Sequence, residues 1–396
     1  MNINTLEKMD LNDKKVLVRL DLNVPLDDKG NITDDTRIRR CLPTLNYILE
    51  RTGKVVLMSH LGRPKGKVDP KYTLEPVGHR LAELLSREVV FVSEYDKEPV
   101  TQVVGQIGPN QIVLLENLRF HEGETKNDPA FARMLVDGFD CYVNDAFGTL
   151  HRAHASVAAV AELLPPACRA AGLLVEKEVT AIGRLLKGPK APFTVVMGGS
   201  KVSDKIGVTL SLLNRCNAMI IGGAMAYTFL KYNGIDVGDS RVESDKMDLV
   251  ASIYKNAEHR RVEILLPIDH VCASTFKEDA APQIVSSSSI PKGLMGLDIG
   301  PETRKLYKKA IAASQTVLWN GPMGVFEWES FAEGSYAISQ SMAECEGYTV
   351  IGGGDSVAAA NKGGVADKID HISTGGGASL EFLEGKTLPG IRVLLN

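Results

Sequence analysis

The sequence predicts an α/β protein built of two doubly wound, parallel-sheet (Rossmann-like) domains joined by a hinge helix. The chain has 396 residues, more than one hydrophobic core usually organises. Short apolar runs alternate with longer amphipathic segments from end to end, as in a parallel sheet with helices on both faces. We therefore expect an N-terminal domain over residues 1–170, an interdomain helix over 171–188 and a C-terminal domain over 189–379.

In each half, short apolar runs are predicted as strands and the amphipathic segments between them as helices. In the first half the predicted strands are 15–20, 54–59, 88–92, 111–115 and 141–144, and the predicted helices are 38–50, 74–85, 128–137 and 156–163. In the second half the predicted strands are 193–197, 218–221, 262–266, 316–319 and 348–351. The predicted helices there are 203–213, 224–232, 244–257, 301–313, 330–344 and 356–362.

The segment between the halves reads as one helix. Residues 171–187 place apolar side chains at a spacing that fits a long helix of mixed polarity, and Gly188-Pro189 ends it. A helix between two α/β halves is suited to act as the rigid lever of a hinge. The alternative is one more helix that covers a sheet.

Composition excludes several classes of protein. The net charge is −4 and the pI is near 6.1, which argues against a general nucleic-acid binder. The six cysteines are scattered without a C-x-x-C pair, so reduced thiols in the cytoplasm fit better than a disulfide or metal-finger framework. The N-terminus has no apolar signal core and no segment approaches the length of a membrane span. We expect a cytoplasmic protein without nucleic-acid or membrane partners.

The strongest local signal is a pair of glycines and a pair of lysines directly after the strand 193–197. Gly198 and Gly199 precede Lys201 and Lys205, which we expect on one face of the first turns of a helix. A helix start offers free N–H groups and a partial positive charge, so it favours a phosphate chain. The alternative is two solvated lysines on a surface helix. The run is not a Walker A loop, and no G-x-G-x-x-G fingerprint follows a predicted strand.

Other glycine clusters in the second half strengthen the phosphate-site interpretation. They are Gly222-Gly223, Gly352-Gly353-Gly354 and Gly375-Gly376-Gly377. Asp355 can hold a divalent cation, and Ser356 can cap the next helix. Asn320 can donate an amide to phosphate and Glu327 can accept from a ribose hydroxyl pair. A G-G-G-D string alone is equally typical of a tight structural turn, but the clusters together favour a nucleotide.

The first half carries a different set of residues beyond its strands. The basic ones are Arg37, His60, Arg63, Arg119, Arg152 and His154. Arginine forks match phosphate and carboxylate groups, and Asp21 and Asn23 suit hydroxyl groups, so the set describes a small, densely charged anion. Each arginine alone is more often a surface charge. His151 and His154 also suggest a metal pair, but an H-x-x-H pair without a third ligand makes zinc a poor alternative.

These residues lie in motifs that resemble the phosphoglycerate kinase family, in the same order, from end to end. In the first half the motifs are VRLDLNVP (18–25), SHLGRP (59–64), LENLRF (115–120), NDAFG (144–148) and HRAH (151–154). In the second half they are GGSKV (198–202), WNGP (319–322), GGGDS (352–356) and STGGGAS (373–379).

The resemblance implies a monomer that binds 3-phosphoglycerate on the N-terminal domain and Mg-ATP or Mg-ADP on the C-terminal domain. It also implies that a tail, about residues 380–396, packs back on the first domain. The matching positions for the acid are Asp21, Asn23, Arg37, His60, Leu61, Gly62, Arg63, Arg119, Arg152 and His154. Those for the nucleotide are Gly199, Lys201, Lys205, Gly223, Gly296, Asn320, Glu327, Gly353, Gly354, Asp355 and Ser356, with Asp355 toward Mg²⁺.

The implied activity is reversible transfer of the acyl phosphate of 1,3-bisphosphoglycerate to ADP, by direct in-line transfer after hinge-bending closure. Arg37 and Lys201 are assigned to the transferring group, with further donors at Gly376 and Gly377. In the reverse direction the acceptor carboxylate is already ionised, so no catalytic base is required. The alternatives are a nicotinamide-dependent oxidoreductase, against which the missing glycine fingerprint argues, and a non-catalytic nucleotide-binding module, which would lack the basic set or Lys201.

Overall fold

The structure is a computed structural model that describes residues 2–95, 100, 102, 105, 106, 108 and 110–395. The chain divides into two compact units, Met1–Thr180 with Thr387–Asn396 and Ala181–Lys386. Each unit contains a six-stranded sheet whose paired strands run parallel. This confirms the predicted fold class of two parallel-sheet α/β bodies.

The sheet of the first unit has the strand order β3-β4-β2-β1-β5-β6. The strands are β1 (Val16–Arg19), β2 (Val55–Met58), β3 (Glu88–Val92), β4 (Gln111–Leu115), β5 (Cys141–Asn144) and β6 (Arg169–Ala171). The helices described before β6 are α1 (Thr36–Leu49), α2 (Glu75–Leu85), α3 (Glu122–Thr125), α4 (Pro129–Val136) and α5 (Ala159–Glu162). β1 lies between β2 and β5 and is buried along its whole length, as a central strand covered on both faces requires.

The sheet of the second unit has the order β15-β14-β13-β7-β8-β9, and a second, antiparallel sheet has the order β11-β10-β12. The strands are β7 (Phe193–Met197), β8 (Ala218–Ile221), β9 (Glu263–Leu265), β10 (His270–Ala273), β11 (Gln283–Val285), β12 (Met295–Ile299), β13 (Thr316–Asn320), β14 (Tyr348–Gly352) and β15 (His371–Ile372). From Leu173 onward the helices are α6 (Leu173–Lys187), α7 (Ile206–Leu213), α8 (Met225–Tyr232), α9 (Met247–Arg260), α10 (Pro301–Ala312), α11 (Glu333–Ala343), α12 (Gly354–Lys362) and α13 (Gly377–Leu383).

The antiparallel sheet was not predicted, and its strands show why. β11 has three residues, two of them exposed, and the pairing of β10 with β12 shifts register between Val271 and Cys272. A shift of this kind breaks the two-residue periodicity by which a strand is recognised in a sequence. β6, with three residues, and β15, with two, were missed for the same lack of length.

Several helices begin at other residues than predicted. The segment predicted over 171–187 begins as a helix at Leu173, because residues 169–171 belong to β6. The segment predicted over 203–213 opens with a 3₁₀ turn, Ser203–Lys205, before α7. α12 begins at Gly354, so Ser356 lies inside its first turn and does not cap it.

The end of the chain belongs to the first unit. Its last helix is α14 (Pro389–Arg392), flanked by the fully buried side chain of Leu388. The N–H of Gly390 donates to the carbonyl of Leu150 at 2.9 Å, and that of Asn4 donates to Leu394 at 2.8 Å. The tail therefore supplies core side chains and backbone partners to the first unit.

The start of α6 is fixed by a buried carboxylate from the end of β5. Asp145 Oδ1 accepts from the N–H groups of Leu174 at 2.9 Å and Val175 at 3.2 Å, and the Thr44 hydroxyl accepts from Leu173 at 3.0 Å. These contacts satisfy N–H groups that a helix start leaves without helical partners. Burial raises the pKa of Asp145 to about 7, although its hydrogen bonds oppose the shift.

The burial of Asp145 predicts a pH-dependent stability. Between about pH 4 and 7 the native carboxyl holds a proton that the unfolded chain has released, so the stability falls as the pH rises through this window. Asp145→Asn keeps the acceptor and removes the ionisation. Urea unfolding from pH 5 to 8 should show the wild type losing about 2.5 kcal/mol relative to this variant, because about two pH units of that range lie below the native pKa. The exposed Asp137→Asn is the control, and equal slopes for the wild type and Asp145→Asn would contradict the prediction.

Candidate active site

Four of the basic residues predicted in the first unit line one cavity. Its volume is about 470 Å³, and its walls include Arg63, Arg119, Arg152 and His154 together with Lys65. Arg119 follows β4, and the other three follow β2 and β5, so the carboxyl edge of the sheet gathers them as expected for a parallel sheet. We call His60, Arg63, Arg119, Arg152 and His154 the basic cluster.

Arg119 is the most firmly held cation of the basic cluster. Its backbone N–H donates to Asn117 Oδ1 at 3.0 Å and its Nη1 donates to the carbonyl of Gly62 at 2.7 Å. Its buried Nε has no partner among the described residues. Burial and then the charges of Arg152 and Arg19 lower its pKa to about 10, which leaves it cationic at neutral pH. A fixed cation with a free, buried donor is a ready anion site.

The two histidines of the basic cluster are neutral at pH 7. Burial and the charges of Arg119, Arg19 and Arg152 lower the pKa of His154 to about 4. Burial and then the charge of Arg19 lower that of His60 well below its usual value. Arg19 Nη2 lies 3.1 Å from His60 Nδ1. Because a guanidinium only donates, Nδ1 is the acceptor and His60 carries its proton on Nε2.

Arg19 and Glu124 are site residues that the sequence analysis missed. Both are fully buried, and the Ser156 hydroxyl joins them: Arg19 Nε donates to it at 2.8 Å, and it donates to Glu124 Oε1 at 2.7 Å. Glu124 Oε2 accepts the Ser156 N–H at 2.9 Å. A signal for Arg19 was present, because a charged residue at the end of an apolar central strand is buried and needs a partner.

The remaining first-unit residues do not line the cavity of the basic cluster. Asn23 Oδ1 accepts the Gly62 N–H at 2.8 Å, and Asn117 Oδ1 accepts that of Leu61 at 3.1 Å. Arg37, in the first turn of α1, forms an ion pair with Asp21. Asn23, Leu61 and Gly62 line a separate cavity of about 490 Å³, to which neither Asp21 nor Arg37 contributes. Among these residues, Gly62 contacts the basic cluster, through its hydrogen bond from Arg119.

In the second unit a cavity of about 540 Å³ gathers much of the predicted nucleotide set. Gly199, Gly223, Gly296, Glu327 and Asp355 line it. Apolar and aromatic walls complete the cavity, formed by Ala224, Tyr227, Phe276, Met295, Leu297 and Val325. The prediction missed Tyr227. A Cβ atom added at residue 296 would lie 2.0 Å from the Tyr227 hydroxyl, so only glycine fits at that position.

The two lysines do not share one helical face as predicted. Lys205 turns its ammonium back under the strand ends, where Nζ donates to the carbonyl of Gly198 at 2.7 Å, the carbonyl of Asn320 at 3.0 Å and Asn320 Oδ1 at 2.7 Å. Burial lowers the pKa of Lys205 to about 8, although Asp355 and Asp204 oppose the shift. Lys201 precedes the helix and has no hydrogen bond or ion pair in the described part of the chain.

The N–H groups at this helix start are not free, contrary to the prediction. Those of Val202 and Ser203 donate to Glu243 at 2.6 and 3.2 Å. Ser356 is likewise occupied, because its hydroxyl accepts the Gly321 N–H at 2.6 Å. These contacts hold the loops in place and leave other groups to meet a ligand.

The groups that remain available to a ligand are one buried amide and two glycines with free space beside them. Asn320 Nδ2 is buried without a partner among the described residues, and it faces Gly353. A Cβ at Gly354 or Gly376 would meet no described atom within 4 Å, whereas one at Gly223 would lie 2.5 Å from the Gly199 nitrogen. The glycines thus divide into those required by backbone packing and those that leave space for a ligand.

Comparisons with known proteins decide the family. A family model described as phosphoglycerate kinase matches residues 6–386. A phosphoglycerate kinase of Moorella thermoacetica is 52% identical over 390 residues, which cover 98% of each chain. The cytosolic phosphoglycerate kinase 3 of Arabidopsis thaliana is also 52% identical, over 99% of this chain and 98% of its own. The solved structure of the phosphoglycerate kinase from Coxiella burnetii superposes with a TM-score of 0.91 at 38% identity, covering 99% of this chain and 98% of its own. The chain belongs to the phosphoglycerate kinase family.

Membership of the phosphoglycerate kinase family confirms the predicted enzyme class, a phosphotransferase with a carboxyl group as acceptor. It decides against the oxidoreductase and the non-catalytic module. Over the described residues, no helix has the length and apolar character needed to span a bilayer.

The buried pair in the first unit yields a stability prediction. Glu124→Gln leaves the guanidinium of Arg19 without a compensating buried charge, a change that typically costs about 3–5 kcal/mol. Urea denaturation should show this loss. Glu122→Gln in the same helix is the matched control, since Glu122 is 65% exposed in an ion pair with Lys126 and should cost at most about 0.5 kcal/mol. Equal effects of the two variants would contradict the assigned role of Glu124.

Proposed function

We propose that this chain reversibly transfers the acyl phosphate of 1,3-bisphosphoglycerate to ADP, giving 3-phosphoglycerate and ATP, as a step of glycolysis and gluconeogenesis. One observation carries the proposal beyond family membership. Each unit has a strand-end site with a buried, partnerless donor, Arg119 Nε in the first and Asn320 Nδ2 in the second. A buried donor without a partner is costly, and an anionic ligand removes that cost in both places.

The first unit would bind the three-carbon acid. Arg63, Arg119 and Arg152 supply the forks for its phosphate, and His154 adds a neutral ring beside them. His60 offers Nε2–H as a single donor, fixed by Arg19. Asp21, Asn23, Leu61 and Gly62 would contact the hydroxyl and carboxyl end, supported by the Asn23–Gly62 hydrogen bond.

The second unit would bind the nucleotide. The apolar walls around Leu297 and Tyr227 suit a purine base, and Glu327 suits the ribose hydroxyls. The phosphates would lie along Gly199, Gly223, Gly353 and Gly354, with Asn320 Nδ2 as a donor. Lys205, Gly296 and Ser356 support this site through the contacts described above, and Lys205 can also reach a phosphate if the nucleotide displaces its carbonyl partners.

The residues present fit a magnesium ion. Asp355 is exposed, lines the cavity and is followed directly by the buried Ser356. Within the described residues no group of three or more His, Cys, Asp or Glu side chains is placed to hold a metal, so the chain offers no complete set of protein ligands. This suits Mg²⁺, which is commonly held by one or two carboxylates plus substrate phosphates. When bound, the ion would neutralise phosphate charge.

The chemistry would depend on positioning and charge neutralisation. The acceptor carboxylate is ionised at neutral pH and the histidines of the basic cluster are neutral, so no proton need be removed. Lys201, which forms no hydrogen bond with the described residues, and Arg37, 42% exposed beside Asp21, would contact the oxygens of the transferring group. Gly376 and Gly377 would add donors at the start of α13.

We further propose that closure about α6 brings the two ligands together for in-line transfer and excludes water. Correct positioning of two reactants can contribute about 7–11 kcal/mol to lowering a barrier. Closure would also suppress hydrolysis of ATP. The chain would act as a cytoplasmic monomer, a location supported by its six free cysteines. The direct test is a coupled assay of Mg-ATP-dependent 3-phosphoglycerate phosphorylation, and absence of turnover by the folded protein would overturn the proposal.

Lys201 is expected to act in the transition state. Lys201→Ala should lower kcat by about 100-fold or more, since loss of one preorganised charge contact typically costs that much, while KM changes little. Steady-state kinetics with both substrates varied would measure this. Lys255→Ala, an exposed lysine on α9, serves as the control. A rise in KM without a fall in kcat would remove Lys201 from the transition state.

Arg37 is expected to act on both the acid and the transferring group. Arg37→Ala should lower kcat by about 100-fold and also raise KM for 3-phosphoglycerate, with KM for ATP unchanged. The same coupled assay separates these constants. Arg39→Ala, two residues along α1 and paired with Asp35, is the matched control. Near-normal turnover of Arg37→Ala would reject its role.

A further inference from the structure

The turn that carries Lys201 is held by a carboxylate from another loop. Glu243 Oε2 accepts the N–H of Val202 at 2.6 Å and that of Ser203 at 3.2 Å, and its Oε1 accepts the Ser203 hydroxyl at 2.5 Å. Three donors on two consecutive residues thus end on one side chain. Glu243 follows α8 in the chain, and its own N–H donates to the Thr228 hydroxyl at 3.1 Å.

These contacts fix the backbone on both sides of Lys201. On the N-terminal side, the N–H of Gly199 donates to the carbonyl of Pro322 at 3.0 Å. On the C-terminal side, Val202 is buried and its N–H ends on Glu243. The Lys201 side chain forms no hydrogen bond or close ion pair among the described residues, although its charge acts on Glu243. The backbone is therefore fixed while the donors of the ammonium remain unfilled.

The negative charge of Glu243 lies beside the proposed phosphate site and calls for an explanation. Glu243 stands beside a site proposed to bind a polyphosphate, where a carboxylate repels the ligand. Burial opposes its ionisation, but the hydrogen bonds of Ser203 and Val202 and the charge of Lys201 lower its pKa, so it is ionised at neutral pH. The carboxylate also takes the N–H groups of Val202 and Ser203, which could otherwise bind phosphate, and leaves the donors of the Lys201 ammonium unfilled.

We propose that Glu243 is a positioning residue that acts through Lys201. By holding the turn of residues 201–203, it sets where the Lys201 ammonium meets the transferring phosphoryl group. The inference rests on the proposed function, because it requires Lys201 to act in that transfer.

A double-mutant cycle on the full-length protein tests this inference. Glu243→Ala should lower kcat by about 10- to 100-fold, since a displacement near 1 Å can cost about 10²-fold, with KM for both substrates within about threefold. In a Lys201→Ala background the same change should alter kcat by less than about twofold, because the residue through which it acts is gone. Ser203→Ala, which removes one of the three hydrogen bonds, should show a smaller fall that also vanishes in that background.

Controls separate positioning from general damage. Glu258→Ala removes an exposed carboxylate from α9 and should leave kcat unchanged. Glu243→Gln, which keeps an acceptor oxygen, should recover most of the rate lost in Glu243→Ala. Should Glu243→Ala fail to fold, Ser203→Ala decides the question by the same cycle.

Two failures remain distinguishable. Normal kcat in Glu243→Ala, or an equal fold-loss with and without Lys201, overturns the inference and leaves the proposed function standing. Normal kcat in Lys201→Ala instead rejects the role proposed for Lys201, and the inference falls with it.

Discussion

Parallel pairing is the constraint on which the rest of each unit depends. When the strands of a sheet run parallel, their carboxyl ends meet at one edge. The loops at that edge must form hydrogen bonds with the backbone N–H and C=O groups that strand pairing leaves without partners. In the first unit this edge places Arg19 Nη2 3.1 Å from His60 Nδ1, although the two residues are distant in sequence. In the second it brings Gly198 and Asn320 close enough to share the Lys205 ammonium. Site and scaffold are therefore built from the same contacts.

The first-unit edge crowds positive charge that the chain balances only in part. Arg19, Arg119 and Arg152 each help to lower the pKa of the neighbouring histidines, which stay neutral and add no further repulsion. Glu124 is a buried counter-charge, delivered through Ser156. Its nearest approach to His154 is 3.7 Å, but a neutral ring makes no ion pair. An anionic ligand bound at this edge would supply the missing negative charge.

The sequence predicted most central strands because strands buried on both faces are mostly apolar runs, as in Val16–Arg19 and Phe193–Met197. It predicted the loops of the sites because Gly, Arg and His clusters stood after those runs. It did not predict the partners of the side chains. Lys205 donates to carbonyl groups at the strand ends, and Glu243 accepts from N–H groups of a turn that is distant in sequence. These are tertiary contacts, which a local sequence pattern does not predict.

The groups at the strand ends divide into those that make hydrogen bonds within the chain and those that keep unfilled donors. Gly223 is required by backbone packing, Ser356 and Lys205 tie loops together, and Glu243 holds a turn, so these groups make the edge rigid. Arg119 Nε, Asn320 Nδ2 and Lys201 keep their capacity to donate. All three are donors, and two belong to cations. Unfilled donors in each unit, with neutral histidines in the first, are suited to stabilising charge rather than to moving protons, which is what transfer to an ionised carboxylate would demand.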